Sequence, residues 1–334
     1  MIKQGIIKNI GKFNDIKLAT GLDMTLYATQ PREANLTNTG ISTETFGDKW
    51  FLTPKGRALF KTYDSGYSKE IRQIRMLNEL LCQELCAQVG IACATYEPAQ
   101  KDGQDGLITY DIAGEENSLV PIHRLIRVKR GLDTTLFGCA EAIDVYAYNG
   151  YAVNKKQVIV DLFKILVFDT LTLQTDRNDN NINFLFANNF KGIRVAPLID
   201  NEFAFCGERL MDWLTCQNVD EIDIQDILSM HALKSKIFTF DDACTANAKR
   251  LQNNVELIAF YAKKHPALKT ALNNMLQNLN PKQAFAVLEQ QGVVVNEYYK
   301  QYVCEIVETT KHMLLAERGK RVSKALLNDY ENIY

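Results

Sequence analysis

Residues 157–173 read QVIVDLFKILVFDTLTL, the most apolar stretch of the chain, and QTDRNDNN follows at once over 174–181. The first segment is a helix whose apolar side chains must be buried. The second holds two acids and four amides, groups that lose free energy in a core unless each finds a partner. A chain with this junction has to fold so that a core helix delivers a polar loop to an edge or a cleft. Asp161, Lys164 and Asp169 interrupt the apolar run, so it reads as a buried amphipathic helix and not as a membrane span. With 334 residues the chain is long enough for about two domains and for a core that needs no disulfide or metal. Hydrophobic residues at 46% and charged residues at 23% exclude disordered, collagen-like and coiled-coil chains. A net charge of -2 gives no reason to expect direct binding of nucleic acid. The opening MIKQGIIKNIGKF lacks the apolar region and cleavage site of a general secretory signal, so a cytoplasmic location is expected. A non-classical export signal, which would allow translocation into a host cell, is invisible at this level.

Eight cysteines are scattered without a CxxC pair, and the four histidines form no HExxH or triad pattern. Buried thiols in a reducing compartment are the expected reading, with zinc the weaker alternative. Trp50 and Trp213 are expected to pack in cores. Residues 1–60 are short runs broken by Gly and Asn, which suggests strands and hairpins. Ile71, Ile74, Leu77, Leu80, Leu81, Leu85 and Val89 then follow helical spacing, predicting a helix over 68–89 that Gly90 stops. IACATYEPA and GLITYDIAG read as two strands around KDGQDG. From about residue 115 the pattern is mostly helical. It is interrupted by the polar loop and by INFLFA and IRVAPLID, two apolar runs separated by NNFKG, which is a hairpin signal. After about 208 the chain reads as helical to its end. The basic stretch over 311–324 reads first as a solvated helix face and only secondarily as a contact for an acidic partner. The expected fold class is α+β and two-lobed, with a β-rich first lobe over 1–112 and a mainly helical second lobe over 113–334.

The polar loop carries the chemistry. Asp176 and Asn181 stand five apart, and Asp200 closes the hairpin 24 residues after Asp176. In protein-kinase catalytic loops an Asp orients and deprotonates the acceptor hydroxyl, an Asn five residues on holds Mg²⁺, and a later Asp holds metal as well. Mg²⁺ takes hard oxygens and shares its shell with phosphate and water, which suits Asn181, Asp200 and a nucleotide. Turn geometry alone would also account for an Asn/Asp-rich loop. Lys61, at the end of the strand in ALFKTY, can reach the α/β-phosphates of ATP, and Glu79, 18 residues on in a helix, can pair with it. Singly, each is an ordinary surface residue. The order Lys, Glu, linking strand, Asp-x4-Asn, Asp makes them informative together.

These residues resemble the HipA-like serine/threonine kinases, above all the compact, cell-translocating type, over about 37–205. Asn78-Glu79 followed by Gly90-Ile91 is similar to that family's Asn-Glu helix and its Gly-Leu or Gly-Ile. Thr109-Tyr110-Asp111 resembles its Arg-Phe-Asp after the hinge strand. Thr175-Asp176-Arg177, Asn181 and Phe184 resemble Thr-Asp-Arg-His-x-x-Asn-x-x-Phe, and Ala196-Pro197-x-x-Asp200 resembles Ala/Thr-Pro-x-Tyr-Asp. Asn178 replaces the family's His and Ile199 its Tyr. Thr37-Asn38-Thr39-Gly40-Ile41-Ser42 is a loose match to the family's phosphate loop, Ser-x-x-Gly-x-Gln. The toxin form of the family carries an N-terminal subdomain before that loop, which is expected to be missing or reduced here.

The resemblance implies a kinase-like fold and an ATP- and Mg²⁺-dependent protein kinase, acting as a bacterial toxin or translocated effector. It implies Asp176 as catalytic base and Asn181 and Asp200 as metal ligands. Nucleotide would be held by Lys61, Glu79, the hinge at Ile108, Thr109 and Tyr110, and the phosphate loop with Gly40 and Ser42. Thr37, Thr39 and Ser42 become candidate sites of autophosphorylation, since the family modifies that loop. The expected partners are a protein substrate with a Ser or Thr acceptor and an antitoxin or host protein, with no membrane and no direct nucleic-acid contact. Two other readings stay open: a pseudokinase or binding module, and a kinase of a small molecule or phosphoinositide. Retention of Lys61, Asp176, Asn181 and Asp200 argues against the first, because a binder needs none of them.

Overall fold

A computed structural model describes residues 37–42, 49–53, 55–63, 69–101, 104–114, 116–128, 136–174, 176–177, 180–188, 191–206 and 253–319. The first half is built on a five-stranded antiparallel sheet in the order β1-β2-β3-β5-β4. Its strands are β1 (Thr37–Ser42), β2 (Lys49–Thr53), β3 (Gly56–Lys61), β4 (Tyr96–Lys101) and β5 (Gln104–Tyr110). Between β3 and β4 runs helix α1 (Lys69–Val89). It buries Leu77, Leu80, Leu81 and Leu85, as its spacing predicts, and ends where Gly90 takes φ +65. Burial also swallows Asn78 and Glu79 in mid-helix, which no apolar period announces.

After β5 the chain makes β6 (Asn117–Pro121), α2 (Ile122–Val128), α3 (Leu136–Asp144), a 3₁₀ turn and α4 (Lys155–Leu171). β7 (Asn183–Ala187) and β8 (Ile193–Val195) then form the expected hairpin. β6 corrects the reading of this region as helical from about 115. It joins the hairpin as a third strand, with Leu119 opposite Leu185 and Val120 opposite Phe184. NSLVP is too short to announce a strand by alternation; it is one because β7 presents an open edge to it. Helices α5 (Asn254–Lys264), α6 (Pro266–Asn278), α7 (Pro281–Gln290) and α8 (Glu297–Gly319) are the last elements among the described residues. The helical reading from 208 to 252, Trp213 and the residues past 319 lie outside the described residues, as do the side chains of Trp50 and Cys206. Among the described residues no helix is long and apolar enough to cross a membrane. The described thiols are free, with Cys82, Cys86 and Cys139 buried and Cys93 and Cys304 partly so. Burial pushes the Cys139 thiol up to about 12.

Helix α4 starts at an Asn154 cap that accepts from the Gln157 N–H, 3.1 Å away, and is buried on nearly every side from Leu162 onward. Lys164 escapes by reaching the Gly90 carbonyl at 3.1 Å. The two halves are joined by side chains and, at one point, by backbone pairing. Cys93 and Leu198 form a parallel bridge, with Ala94 N–H donating 2.9 Å to the Leu198 carbonyl and Leu198 N–H donating 2.7 Å to the Ala92 carbonyl. That bridge lies two residues before Asp200 and just after α1, so it sets the hairpin exit against the first sheet.

β5 approaches β3 closely at Gly106, where a Cβ would lie 2.6 Å from the Lys61 carbonyl oxygen and 2.8 Å from the Phe60 ring. Gly106→Ala is expected to cost about 1–3 kcal/mol through overpacking. A lowered urea midpoint at unchanged slope would show it, and an unaltered midpoint would refute the close packing.

Candidate functional site

Lys61 sits at the last position of β3, where the chain leaves the sheet and its side chain can turn into the space beside α1. Its ammonium donates 2.8 Å to Glu79 Oε1 on α1 and 2.8 Å to Asp200 Oδ1 after the hairpin. Glu202 Oε2 lies 2.7 Å from the same nitrogen, within ion-pair reach but outside hydrogen-bond geometry. Burial works against the charge on Lys61, but Glu79 and the other acids outweigh it and hold its pKa well above the ordinary lysine value. Burial pushes Glu79 up, and Lys61 draws it back only in part. Both Glu79 oxygens accept hydrogen bonds, the second from the Asn201 N–H at 2.8 Å, which is the pattern of a bound carboxylate.

Asp200 adopts φ +62, a left-handed conformation that a non-glycine residue holds only when its surroundings impose it. Three contacts impose it here. Its side chain is held by Lys61, its N–H donates 3.3 Å to the Tyr96 hydroxyl, and its carbonyl accepts from Gln174 Nε2 at 3.1 Å. Burial raises the pKa of Asp200, but the charge and hydrogen bond of Lys61, then the Arg177 charge and an Asn181 hydrogen bond, more than offset this and leave it below the usual carboxylate value. Asn181 also donates 3.1 Å to the Asp176 carbonyl. Asp176 is half-buried, and its N–H donates 3.3 Å to Gln174 Oε1. Lys61, Glu79, Asn181 and Asp200 therefore converge, and the backbone of Asp176 is tied to them through Asn181.

Arg177 and Asn78, which the sequence marked as motif matches without giving them a role, hold the constellation in place. Arg177 is buried behind the loop and forms an ion pair with Asp169 of α4 at 3.0 Å. It also donates 2.5 Å to the Ile199 carbonyl and 2.6 Å to Asn201 Oδ1. One guanidinium thus ties the polar loop to α4 and to both neighbours of Asp200. Burial disfavours its charge, but Asp169 more than offsets that. Asn78 donates to the Glu202 and Ala204 carbonyls at 2.9 and 2.8 Å, and Tyr299 of α8 donates to Asn78 Oδ1. Glu202 was missed altogether. Its one sequence signal is a third acid spaced two residues after Asp200.

The hinge residues divide between two faces. Leu59 stands opposite Thr109 and Lys61 opposite Leu107, so Thr109 shares the face of Lys61. Tyr96, whose hydroxyl meets Asp200, is the other neighbour of Thr109. Ile108 packs on the opposite face with Ala58 and Phe60, and Tyr110 packs against that cluster. Thr37, Thr39, Gly40 and Ser42 belong to strand β1, where a loop was expected; its pairing with β2 shifts register between Asn38 and Ser42. Their side chains lie outside the described residues, as do Thr175 and Asn178.

The donor set suits a hard divalent cation. Asp200 is kept ionised, Asn181 adds an amide oxygen, and Glu79, Asp200 and Glu202 offer carboxylate oxygens within 4.8 Å of one another. Mg²⁺ takes such ligands and completes its shell with water and phosphate.

No protein-family model matches the chain, and no curated protein sequence does. Solved structures do match. The Helicobacter pylori proinflammatory kinase CtkA superposes with a TM-score of 0.62 at 16% identity, over 90% of this chain and 96% of that one. A chain of the Shewanella oneidensis MR-1 toxin–antitoxin complex of HipA, HipB and operator DNA gives a TM-score of 0.46 at 12% identity, over 96% of this chain and 76% of that one. The chain therefore has the fold of the CtkA structure, α+β with N-terminal sheets and C-terminal helices.

Arg177→Leu is expected to destabilise the protein by about 3–5 kcal/mol, because it strands the buried Asp169 carboxylate. Adding Asp169→Leu should recover much of the loss in chemical denaturation, whereas additive losses would show that the pair is not the source.

Proposed function

We propose that the chain is an ATP- and Mg²⁺-dependent serine/threonine protein kinase of the HipA-like type. The observation that carries this reading is the meeting of Lys61 and Glu79 with Asp200, with Asn181 and Asp176 beside them. In the proposal, residues 1–112 and 113–334 act as two lobes, and ATP lies between them with its adenine near residues 108–110. Lys61, oriented by Glu79, binds the α/β-phosphates. Asn181 and Asp200 hold Mg²⁺, which when bound neutralises phosphate charge. Asp176 orients the acceptor hydroxyl and takes its proton. Nearly all the rate gain in such a reaction comes from positioning and charge neutralisation, so a rigid polar scaffold supports the reading more than any single reactive group would.

Two extensions rest on the resemblance. Thr37, Thr39 or Ser42 receives phosphate from the same site, and the kinase acts as a toxin with an antitoxin partner or on a host protein. Both put the acceptor on a protein.

Purified protein with Mg·ATP is expected to gain mass in steps of one phosphoryl group by intact-mass spectrometry, with peptide mapping to 37–42. Asp176→Asn should slow this by about 10²–10⁴-fold, the usual contribution of a positioned base. Asp200→Asn should abolish it. Nucleotide binding without transfer to any protein would leave a pseudokinase. Transfer only to an added small hydroxyl compound or phosphoinositide would move the acceptor class.

A further inference from the structure

Lys61 has three N–H donors, and three carboxylates already surround it. Two of those donors are engaged by Glu79 and Asp200, and the Glu202 carboxylate, 2.7 Å from Nζ, fills the approach to the third, so one acid must withdraw when nucleotide arrives. The three are not equally able to do so. Glu79 is fully buried and its second oxygen is tied to the Asn201 N–H at 2.8 Å. Asp200 is fixed through its side chain, its N–H and its carbonyl. Glu202 is the exception. Its Oε2 is buried beside Lys61 without a hydrogen bond, and its Oε1 is already 3.5 Å from Arg75 Nη1. Arg75 is itself held, with its guanidinium 4.5 Å above the Phe203 ring. The Glu202 backbone is also anchored, since its carbonyl accepts from Asn78. Only the side chain is free to exchange one cation for the other.

We infer that Glu202 is a nucleotide-displaced gate: it occupies the phosphate position on Lys61 in the empty site and transfers to Arg75 when ATP binds. This rests on the proposed role of Lys61 and adds a regulator of its occupancy. A phosphate and the Glu202 carboxylate are rival anions for one ammonium, so the affinity for ATP is set by the difference between two ion pairs, Lys61–Glu202 and Arg75–Glu202. Removing the charge of Glu202 takes away the anion that blocks the third donor. Removing Arg75 leaves Glu202 no second partner and holds the gate shut.

The test is direct binding of ATP by calorimetry, with Mg²⁺ and again with the metal chelated, so that transfer chemistry is not the readout. Glu202→Gln is expected to bind ATP about tenfold tighter than wild type in both conditions, in line with loss of one charge-assisted competitor. Arg75→Gln should bind several-fold weaker, and adding Glu202→Gln to it should restore tight binding, which a mere structural defect at Arg75 would not allow. Equal affinity of wild type and Glu202→Gln overturns the gate while leaving the kinase reading intact. Weaker binding by Glu202→Gln in Mg²⁺ alone overturns it by making Glu202 a metal ligand. Absence of ATP binding in every protein overturns both.

Discussion

A largely buried ammonium has to be answered by negative charge, and Lys61 is answered by three acids from two separate parts of the chain. Glu79 comes from a helix, and Asp200 and Glu202 come from the segment after a hairpin more than a hundred residues away. Removing Lys61 from such a cluster is expected to cost about 3–5 kcal/mol, because the three acids would stay together without their shared cation. The contact is therefore a constraint on where sheet, helix and hairpin exit can lie, and it acts together with the backbone bridge between Cys93 and Leu198. The bridge sets the approach of the two halves; the ion cluster sets the side chains inside it.

Arg177 does the corresponding work on the other side. Its planar fork satisfies a carboxylate, a carbonyl and an amide oxygen at once, which a lysine's point charge does not match. Through it the polar loop, the core helix and the Asp200 segment share one rigid frame. The left-handed backbone at Asp200 is maintained by that frame. Chemistry that depends on placing charge, and little on covalent help from the protein, is the kind such a frame serves.

Much of this architecture is legible in the residues. The apolar period of α1 and its glycine stop, the buried helix α4 and the hairpin with its turn all follow from local pattern, because period and turn chemistry are local properties. The spacing of Asp176, Asn181 and Asp200 marks a candidate site for the same reason. β6 was not legible, since a five-residue strand exists only where another strand's edge receives it. The parity of β5 was not weighed, so Ile108 and Thr109 appeared equivalent when one faces Asp200's neighbours and the other faces away.

What the linear order of residues determined by itself was the set of parts: a core helix ending in a polar loop, and a Lys, a Glu, an Asp–Asn pair and an Asp in kinase-like order. Periodicity and spacing are properties of neighbouring positions, and they survive without a fold. The tertiary structure decided the partners. It chose Glu202 as the third acid on Lys61, Arg177 as the tie between loop and helix, and Asn78 as the anchor for the segment after Asp200. Those choices depend on which charges end up buried together, and desolvation, unlike spacing, exists only once the chain has closed on itself.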